Sequence, residues 1–173
     1  MAENLAKKLV AAFSGLLAIP FGKELIVFII SLMPILELRG GLIAASLIDC
    51  NPVSAYIVSI IGNILPVPFI LLFIEKILEW MQTSRIKFLN SFSNWLYKKV
   101  DKHKKQIETY GFWGLVLFVG VPLPGTGAWT GCLIAAVLHM NRKRAFLAAC
   151  IGVFMASIIM MLVSYGVIAN IVG

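Results

Sequence analysis

Residues 31–48 read SLMPILELRGGLIAASLI, an apolar stretch with Glu37, Arg39 and two adjacent glycines near its centre. The apolar runs on either side, 25–36 and 42–48, are each too short to cross ~30 Å of hydrocarbon, which takes about 20 helical residues. Proline and paired glycines interrupt helices because proline lacks an N–H and glycine is conformationally free. The stretch is therefore predicted to be either a kinked span or a re-entrant hairpin.

A second apolar stretch is interrupted in the same way, between runs at 112–121 and 128–138. Its break, VPLPGTGAWTG at 121–131, carries no charge. The residues that shape this break or line it are Pro122, Pro124, Gly125, Thr126, Gly127, Trp129 and Thr130. Irregular backbone at membrane depth is tolerated only where it is buried in protein or lines water. The second break is thus a candidate site, and a simple kink is its plainer interpretation.

The composition of the chain fits a membrane protein better than a soluble one. Its 173 residues are 60% hydrophobic and 13% charged, whereas a soluble domain has about 25% charged residues. Residues 53–74 and 145–169 are each long and apolar enough to span a bilayer. We expect a single all-α integral membrane domain, in which residues 1–22 form a retained N-terminal helix rather than a cleaved signal peptide.

The two broken stretches belong to an internal repeat, with repeat 1 at 23–74 and repeat 2 at 111–173. Each repeat has a break, a short helix, a loop and a full span in the same order. The matching positions are LIAA at 42–45 and 133–136, Asn51 and Asn141, Ala55 and Ala145, and Gly62 and Gly152. Repeats of this length indicate a repeated supersecondary unit.

Charge predicts that the repeats are inverted. The loop before the span contains Asp49 and no basic residue in repeat 1, but residues 142–144 are all basic in repeat 2. Basic loops stay on the cytoplasmic side. Residues 142–144 and 76–105 are therefore predicted to be cytoplasmic, and 75–110 to form a basic amphipathic linker on the membrane surface or in solvent. The net charge of +7 then reflects loops and not a nucleic-acid partner.

Glu37 and Arg39, next to Gly40 and Gly41, are the main candidates for function. Charges at membrane depth are costly, so they usually face a cavity or a partner, although a structural ion pair is the alternative. Short helices predicted at 41–48 and 128–138 would direct unpaired N–H groups toward one central region. With Arg39, these helix ends favour an anionic group such as a phosphate. Glu37 would then exchange a proton and couple or gate transport.

The other polar residues are weaker candidates. Asn63 lies mid-span, where a structural role and a cavity-lining role are equally open. The three cysteines, Cys50, Cys132 and Cys150, are interpreted as small buried hydrophobic residues. The two histidines fit interfacial positions and not metal binding. No nucleophile with a base, phosphate loop or metal-ligand cluster is found, so we expect no enzyme, metal or cofactor beyond a coupling proton or sodium ion.

Three motifs together resemble the small multidrug export protein family. They are PILELRGG at 34–41, GN followed by LP at 62–66, and PLPGTGAWTG at 122–131, and the resemblance extends over most of the chain. The resemblance implies drug efflux. The chain is also distantly similar to the DedA or VTT membrane proteins, which implies paired re-entrant segments and ion-coupled movement of lipid-carrier phosphates. The second break departs from that pattern because it has no acid or arginine.

The sequence therefore predicts a small secondary transporter of the prokaryotic inner membrane. Its substrate would be amphipathic or anionic, such as a lipid-carrier phosphate, and its partners membrane lipids and a second copy of the chain. Two alternatives are an exporter of lipophilic cations and a membrane scaffold or accessory subunit that transports nothing.

Overall fold

The computed structural model describes residues 2–73, 76, 94, 98, 110–123 and 125–166, and within them the regular structure is entirely helical. The predicted linker at 75–110 lies almost wholly outside the described residues. We number the helices α1 (Ala2–Ala12), α2 (Gly22–Leu32), α3 (Glu37–Leu47), α4 (Pro52–Phe73), α5 (Tyr110–Gly120), α6 (Ala128–Val137) and α7 (Arg142–Gly166). A short 3-10 helix, Ser14–Ala18, follows α1. The predicted N-terminal helix is therefore divided in two.

The first break lies earlier than predicted, over residues 33–36. Met33, which precedes Pro34, has φ −71° and ψ 136°, because the proline ring disfavours a helical conformation in the residue before it. Glu37 adopts φ +53°, and α3 begins there. The prediction that the short helix starts at residue 41 was wrong, because the glycine pair continues the helix that Glu37 begins.

Helices α2 and α3 form a hairpin, in which the start of α2 lies beside the end of α3. Lys23, at the start of α2, donates from Nζ to the carbonyl oxygen of Asp49 just beyond α3, at 2.9 Å. Ser54 Oγ donates to Glu24 Oε1 at 3.0 Å. Each helix has 11 residues and is therefore about 16 Å long at 1.5 Å per residue. The first interrupted stretch is a hairpin and not a kinked span.

The loops that follow α3 and α6 have the same backbone geometry. The loop residues Asp49 and His139 both have positive φ, at 49° and 52°. The Cys50 N–H donates to the Ala45 carbonyl and the Met140 N–H to the Ala135 carbonyl, both at 2.9 Å. These pairs all differ by 90 residues, so the shared LIAA strings, which differ by 91, lie one residue out of structural register.

The following helices, α4 and α7, begin with the same cap. Asn51 Oδ1 accepts from the N–H groups of Val53 and Ser54, and Asn141 Oδ1 accepts from those of Lys143 and Arg144. An asparagine at this position satisfies N–H groups that the helix leaves unpaired. The two asparagines noticed in the repeat therefore mark two equivalent helix starts.

The preceding helices, α2 and α5, also occupy equivalent places. A methyl group added to Gly62 would lie 2.9 Å from the carbonyl oxygen of Phe28, and one added to Gly152 would lie 2.9 Å from that of Val116. Both glycines thus allow a hairpin helix to approach the long helix closely. Each unit of the molecule comprises a hairpin helix, a break, a short helix and a long helix.

A contact between the units shows how they are placed. The Tyr165 hydroxyl, at the end of α7, donates to the Cys50 carbonyl at 3.2 Å. Helix α7 has 25 residues and is therefore roughly 37 Å long. Since α7 begins at the loop after α6 and ends at the loop after α3, those two loops lie at opposite ends of the molecule.

The predicted spans are confirmed as long apolar helices. Pro52–Phe73 and Arg142–Gly166 have mean hydropathies of 2.1 and 2.6 and are long enough to cross a membrane. Large side chains on their outer faces are exposed, with Phe69 at 60% and Leu162 at 69%. Contiguous exposed apolar surface of this kind marks contact with lipid or with another protein.

Candidate functional site

The carboxylate of Glu37 binds the start of the short helix in the other unit. Glu37 is 4% exposed. Its Oε2 accepts from the backbone N–H of Ala128 and its Oε1 from that of Trp129, both at 3.1 Å. These N–H groups belong to the first turn of α6, where a helix leaves donors unpaired and carries partial positive charge. The carboxylate is therefore held at the positive end of α6.

Gly127 makes this contact possible. Its φ is +139°, a conformation that other residues rarely adopt. A methyl group at this position would lie 2.1 Å from Glu37 Oε2, which is a severe clash. Gly125 also has positive φ, at 86°, but a methyl group there would meet nothing within 4 Å. The two glycines of the second break thus have different roles, which the sequence alone did not separate.

Arg39 binds the other side of the second break. Its Nη1 donates to the Leu123 carbonyl at 2.6 Å, and its Nη2 donates to the Val121 carbonyl and to Thr126 Oγ1, both at 3.2 Å. These groups follow directly after α5, whose C-terminal end carries partial negative charge. The guanidinium therefore binds the carbonyl groups of the second break that follow the C-terminal end of α5.

Thr126 holds the loop that Arg39 binds. Its hydroxyl lies 3.0 Å from the Val121 carbonyl and 2.9 Å from the Leu123 carbonyl. The Thr126 N–H donates to Leu123 at 3.2 Å, and the Leu123 N–H donates to Val121 at 2.8 Å. The Val121 and Leu123 carbonyl oxygens thus lie within hydrogen-bonding distance of both the Thr126 hydroxyl and the Arg39 guanidinium.

The site therefore joins the charges of one unit to the uncharged break of the other. The sequence places Glu37 and Arg39 two residues apart, which does not put them face to face on a helix. In the structure each contacts a different helix end of the second break. The N-terminus of α6, predicted to attract an anionic substrate, is bound to the protein's own carboxylate.

The remaining predicted residues that the structure describes lie on α3, α4 or α6 or in the second break. Gly41 allows α2 to approach α3, because a methyl group there would lie 1.9 Å from Ser31 Oγ. A methyl group on Gly40 would lie 2.5 Å from Leu36 Cβ. Thr130 is 7% exposed in the first turn of α6. Pro122 is half-buried in the second break, and Pro124 lies outside the described residues.

Asn63 is buried in α4 at 1% exposure. Among the described residues, its amide oxygen and nitrogen have no hydrogen-bond partner. Buried polar groups are nearly always paired, so Asn63 is conspicuous. In the described part of the chain, no hydrogen bond joins it to Glu37 or Arg39.

An open apolar pocket, which no sequence motif indicated, adjoins the site. Its volume of about 730 Å³ lies within the usual ~300–1,000 Å³ of ligand pockets. The pocket lies between the end of α2, the first break and the second half of α4. Its walls are Ile29, Leu32, Met33, Pro34, Leu65, Pro66, Phe69, Ile70, Phe73 and Trp129. Trp129 connects the pocket to the charged centre, because its backbone N–H binds Glu37.

The protein is thus helical, with two helices long and apolar enough to cross a membrane and a buried carboxylate that joins its two interrupted stretches. Residues 37–159 match the family model described as "Putative small multi-drug export protein". The match covers more than half of the chain, and the protein belongs to this family. It begins at Glu37, directly after the first break, and includes the second break.

No curated protein matches the chain, and no solved structure does. The more distant likeness to DedA or VTT proteins stays a prediction. The family and the two long apolar helices indicate a membrane protein of an export family rather than an enzyme. Among the described residues, no group of three His, Cys, Asp or Glu side chains is placed to hold a metal ion.

Proposed function

We propose that the protein is a secondary transporter that exports lipophilic, preferably cationic, compounds across the prokaryotic inner membrane, with Glu37 as the proton-coupling group. The observation that carries this proposal is the pair of contacts at Trp129. Its side chain lines the apolar pocket, while its N–H is bound by the buried carboxylate of Glu37. A substrate in the pocket and a proton on Glu37 would therefore act on the same residue.

The pocket favours a lipophilic substrate. All ten lining residues are apolar or aromatic, so a ligand gains about 25 cal/mol per Å² of apolar surface that it buries there. Phe69, Phe73 and Trp129 are aromatic, and aromatic faces attract organic cations by ~0.5–2 kcal/mol. A flat apolar cation suits this surface.

An anionic substrate, such as a lipid-carrier phosphate, is less favoured than the sequence suggested. The N-terminus of α6 already binds Glu37, and the two terminal nitrogens of Arg39 already bind the second break. A phosphate would have to replace these internal contacts. A cation in the pocket leaves them in place.

Protonation of Glu37 would provide the coupling. A neutral carboxyl group keeps one good acceptor oxygen but loses the charge that favours the helix N-terminus. Proton binding therefore weakens the connection between the two units at Trp129, and proton release restores it. Buried ionisable groups in membrane domains commonly serve such relays.

The relation of the units to the membrane supports transport. The bases of the two hairpins lie at opposite ends of α7, while their breaks meet through Glu37 and Gly127. The positive-inside rule predicts that the basic residues 142–144 lie in the cytoplasm, and with that orientation the arrangement supports two inverted re-entrant hairpins that meet near the midplane. Such inverted units with interrupted helices recur in secondary transporters.

Transport by purified protein in liposomes tests the proposal. We expect wild-type protein to move a fluorescent lipophilic cation against its gradient when a proton gradient is imposed, and Glu37→Gln protein to lose that dependence on the proton gradient. Glu24→Gln is the matched control, because Glu24 accepts from Ser54 at the edge of the bundle. Folded wild-type protein that moves neither lipophilic cations nor polyprenyl phosphates would support the scaffold alternative.

A further inference from the structure

Two buried polar side chains of the first unit play no part in the site described above. Ser31 lies in the last turn of α2 and is 0% exposed, and Asn63 lies in the middle of α4 and is 1% exposed. Within the part of the chain that the structure describes, the Ser31 hydroxyl and both polar atoms of the Asn63 amide have no hydrogen-bond partner. Leaving such groups unpaired destabilises a fold.

Ser31 differs from other buried serines in the direction of its hydroxyl. Ser46, Ser59 and Ser157 each donate to the carbonyl three residues earlier in their own helix, at 2.8, 3.0 and 2.7 Å. Such a bond back to the helix is common for serine. The Ser31 hydroxyl instead lies against Gly41 of α3, where an added methyl group would clash with it. It therefore points out of its own helix.

The second unit has the same junction of three helices, but fills it with valine. A methyl group on Gly131 of α6 would lie 2.8 Å from Val119 Cγ2, and one on Gly152 of α7 would lie 2.6 Å from Val119 Cβ. Ser31 is placed in the same way against the two glycines 90 residues earlier, and a methyl group on Gly62 would lie 3.0 Å from its Cβ. Ser31 and Val119 are thus equivalent.

Asn63 also has an apolar equivalent. It follows Gly62, and Val153 follows Gly152; Val153 is buried in the hydrophobic core. The fold can therefore fill both positions with valine, without unpaired polar atoms. The polar pair of the first unit is not required by the architecture that the two units share.

The backbone of α4 departs from that of α7 at the same place. The α-helix has a turn at residues 65 and 66, and Pro66 has no N–H to donate to the Gly62 carbonyl. The residue equivalent to Pro66 is Ala156, which lies inside the continuous helix Arg142–Met161. The first unit thus has a carbonyl oxygen without its helical partner beside the two polar side chains.

We propose that Ser31 Oγ, Asn63 Oδ1 and the Gly62 carbonyl form a binding site for a sodium ion. All three are oxygen atoms, which hard cations prefer as ligands. Ser31 lies at the C-terminal end of α2, which carries partial negative charge. The carbonyl ends of interrupted helices bind sodium in secondary transporters. An anion would meet that negative end with only a hydroxyl and an amide as donors.

The sodium site would adjoin the apolar pocket. Leu32, which follows Ser31, and Leu65, two residues after Asn63, both line that pocket. Two positive charges repel each other strongly where water is excluded. A bound sodium ion should therefore weaken the binding of a lipophilic cation, and the cation should weaken sodium binding by the same factor. This link rests on the proposed export function, whereas sodium binding does not.

Thermal unfolding of detergent-purified, full-length protein tests the site, in sodium chloride against choline chloride at equal ionic strength. Sodium should raise the Tm of wild-type protein saturably, by roughly 5–10 °C at about one hundred times its Kd. Ser31→Val and Asn63→Val introduce the residues of the second unit and should abolish that rise. Ser59→Ala should keep it, because the Ser59 hydroxyl bonds to its own helix.

The choline measurements distinguish a binding role from a structural one. Each valine variant removes an unpaired buried polar group, so in choline chloride it should unfold at the same temperature as wild-type protein or higher. Where a valine variant fails to fold, Ser31→Ala and Asn63→Leu replace it. The sodium site is wrong if wild-type protein shows no saturable rise in Tm, or if the variants show the same rise.

The binding of a fluorescent lipophilic cation tests the link to the pocket. Saturating sodium should raise its Kd about threefold or more in wild-type protein, and should leave it unchanged in Asn63→Val. A sodium-dependent Tm with an unchanged Kd would refute the link and leave the site standing. Sodium stabilisation of a protein that moves no lipophilic cation would refute export alone. Export by a protein whose Tm ignores sodium would refute the sodium site alone.

Discussion

Replacing Glu37 by glutamine tests the centre of the structure most directly. The carboxylate accepts two backbone N–H bonds from the first turn of α6, each at 3.1 Å. An amide has one oxygen and one NH₂ group, so one of the two acceptors becomes a donor that faces an N–H. The substitution therefore removes one hydrogen bond to a charged acceptor and the attraction of the charge to the helix end.

The size of the effect follows from these two losses. A hydrogen bond to a charged group contributes ~1.5–3 kcal/mol, and a charge at a helix N-terminus ~0.3–2 kcal/mol. We expect Glu37→Gln to lower the free energy of unfolding by about 2–4 kcal/mol. For a chain of this length that corresponds to a Tm lower by roughly 5–15 °C.

Thermal unfolding of detergent-purified protein, followed by intrinsic tryptophan fluorescence, measures this change. Glu24→Gln loses a single contact with Ser54 at the edge of the bundle and should shift the Tm by about 2–4 °C or less. If Glu37→Gln and Glu24→Gln unfold at the same temperature, the carboxylate does not hold α6 and the proposed coupling loses its basis.

Three further predictions concern the glycines, the helix caps and the pocket. Gly127→Ala should destabilise the protein by about 3 kcal/mol or more, through positive φ and a clash with Glu37, whereas Gly125→Ala should cost only ~1 kcal/mol; thermal unfolding separates them. Asn51→Ala and Asn141→Ala should each cost ~1 kcal/mol, and equal shifts in Tm would support equivalent caps. Trp129→Ala should raise the KM for lipophilic cations about fivefold or more; an unchanged KM in transport assays with folded protein would exclude the pocket as the binding site.

The sequence was sufficient to predict the order of the helices and the positions of the two long ones. Span length and apolar runs report directly on α4 and α7, because a continuous helix needs no information from elsewhere in the chain. The asparagines at 51 and 141 likewise act within a few residues of themselves. Interactions between residues close in sequence therefore account for the features that the two repeats share.

The centre of the site could not be predicted in the same way. The first break was expected at the charged and glycine residues, but Pro34 moves it upstream and Glu37 starts the helix. The partner of Glu37 lies 91 positions away, at Ala128, and is a backbone group without any side-chain signal. The same holds for the carbonyl groups that Arg39 binds. A hydrogen bond between a side chain and a backbone group far away in the sequence produces no recognisable sequence pattern, because nearly every residue has the same backbone groups.

The pocket was missed for a related reason. Its residues come from α2, the first break, α4 and α6, and each one is an ordinary apolar residue where it stands. Sequence matching alone had placed part of the repeat one residue out of register.

The two units contribute different groups to the contact between the breaks, and this has a consequence for how the two halves of the chain depend on each other. Both charged side chains come from the first half, and both bare helix ends that receive them come from the second. Two copies of the first half would bring four charged side chains together without the helix ends that bind them. Two copies of the second half would leave the backbone groups of those helix ends without charged partners. The two halves of the chain are therefore not interchangeable. A gene split between α4 and α5 should therefore restore the protein only when both pieces are made together.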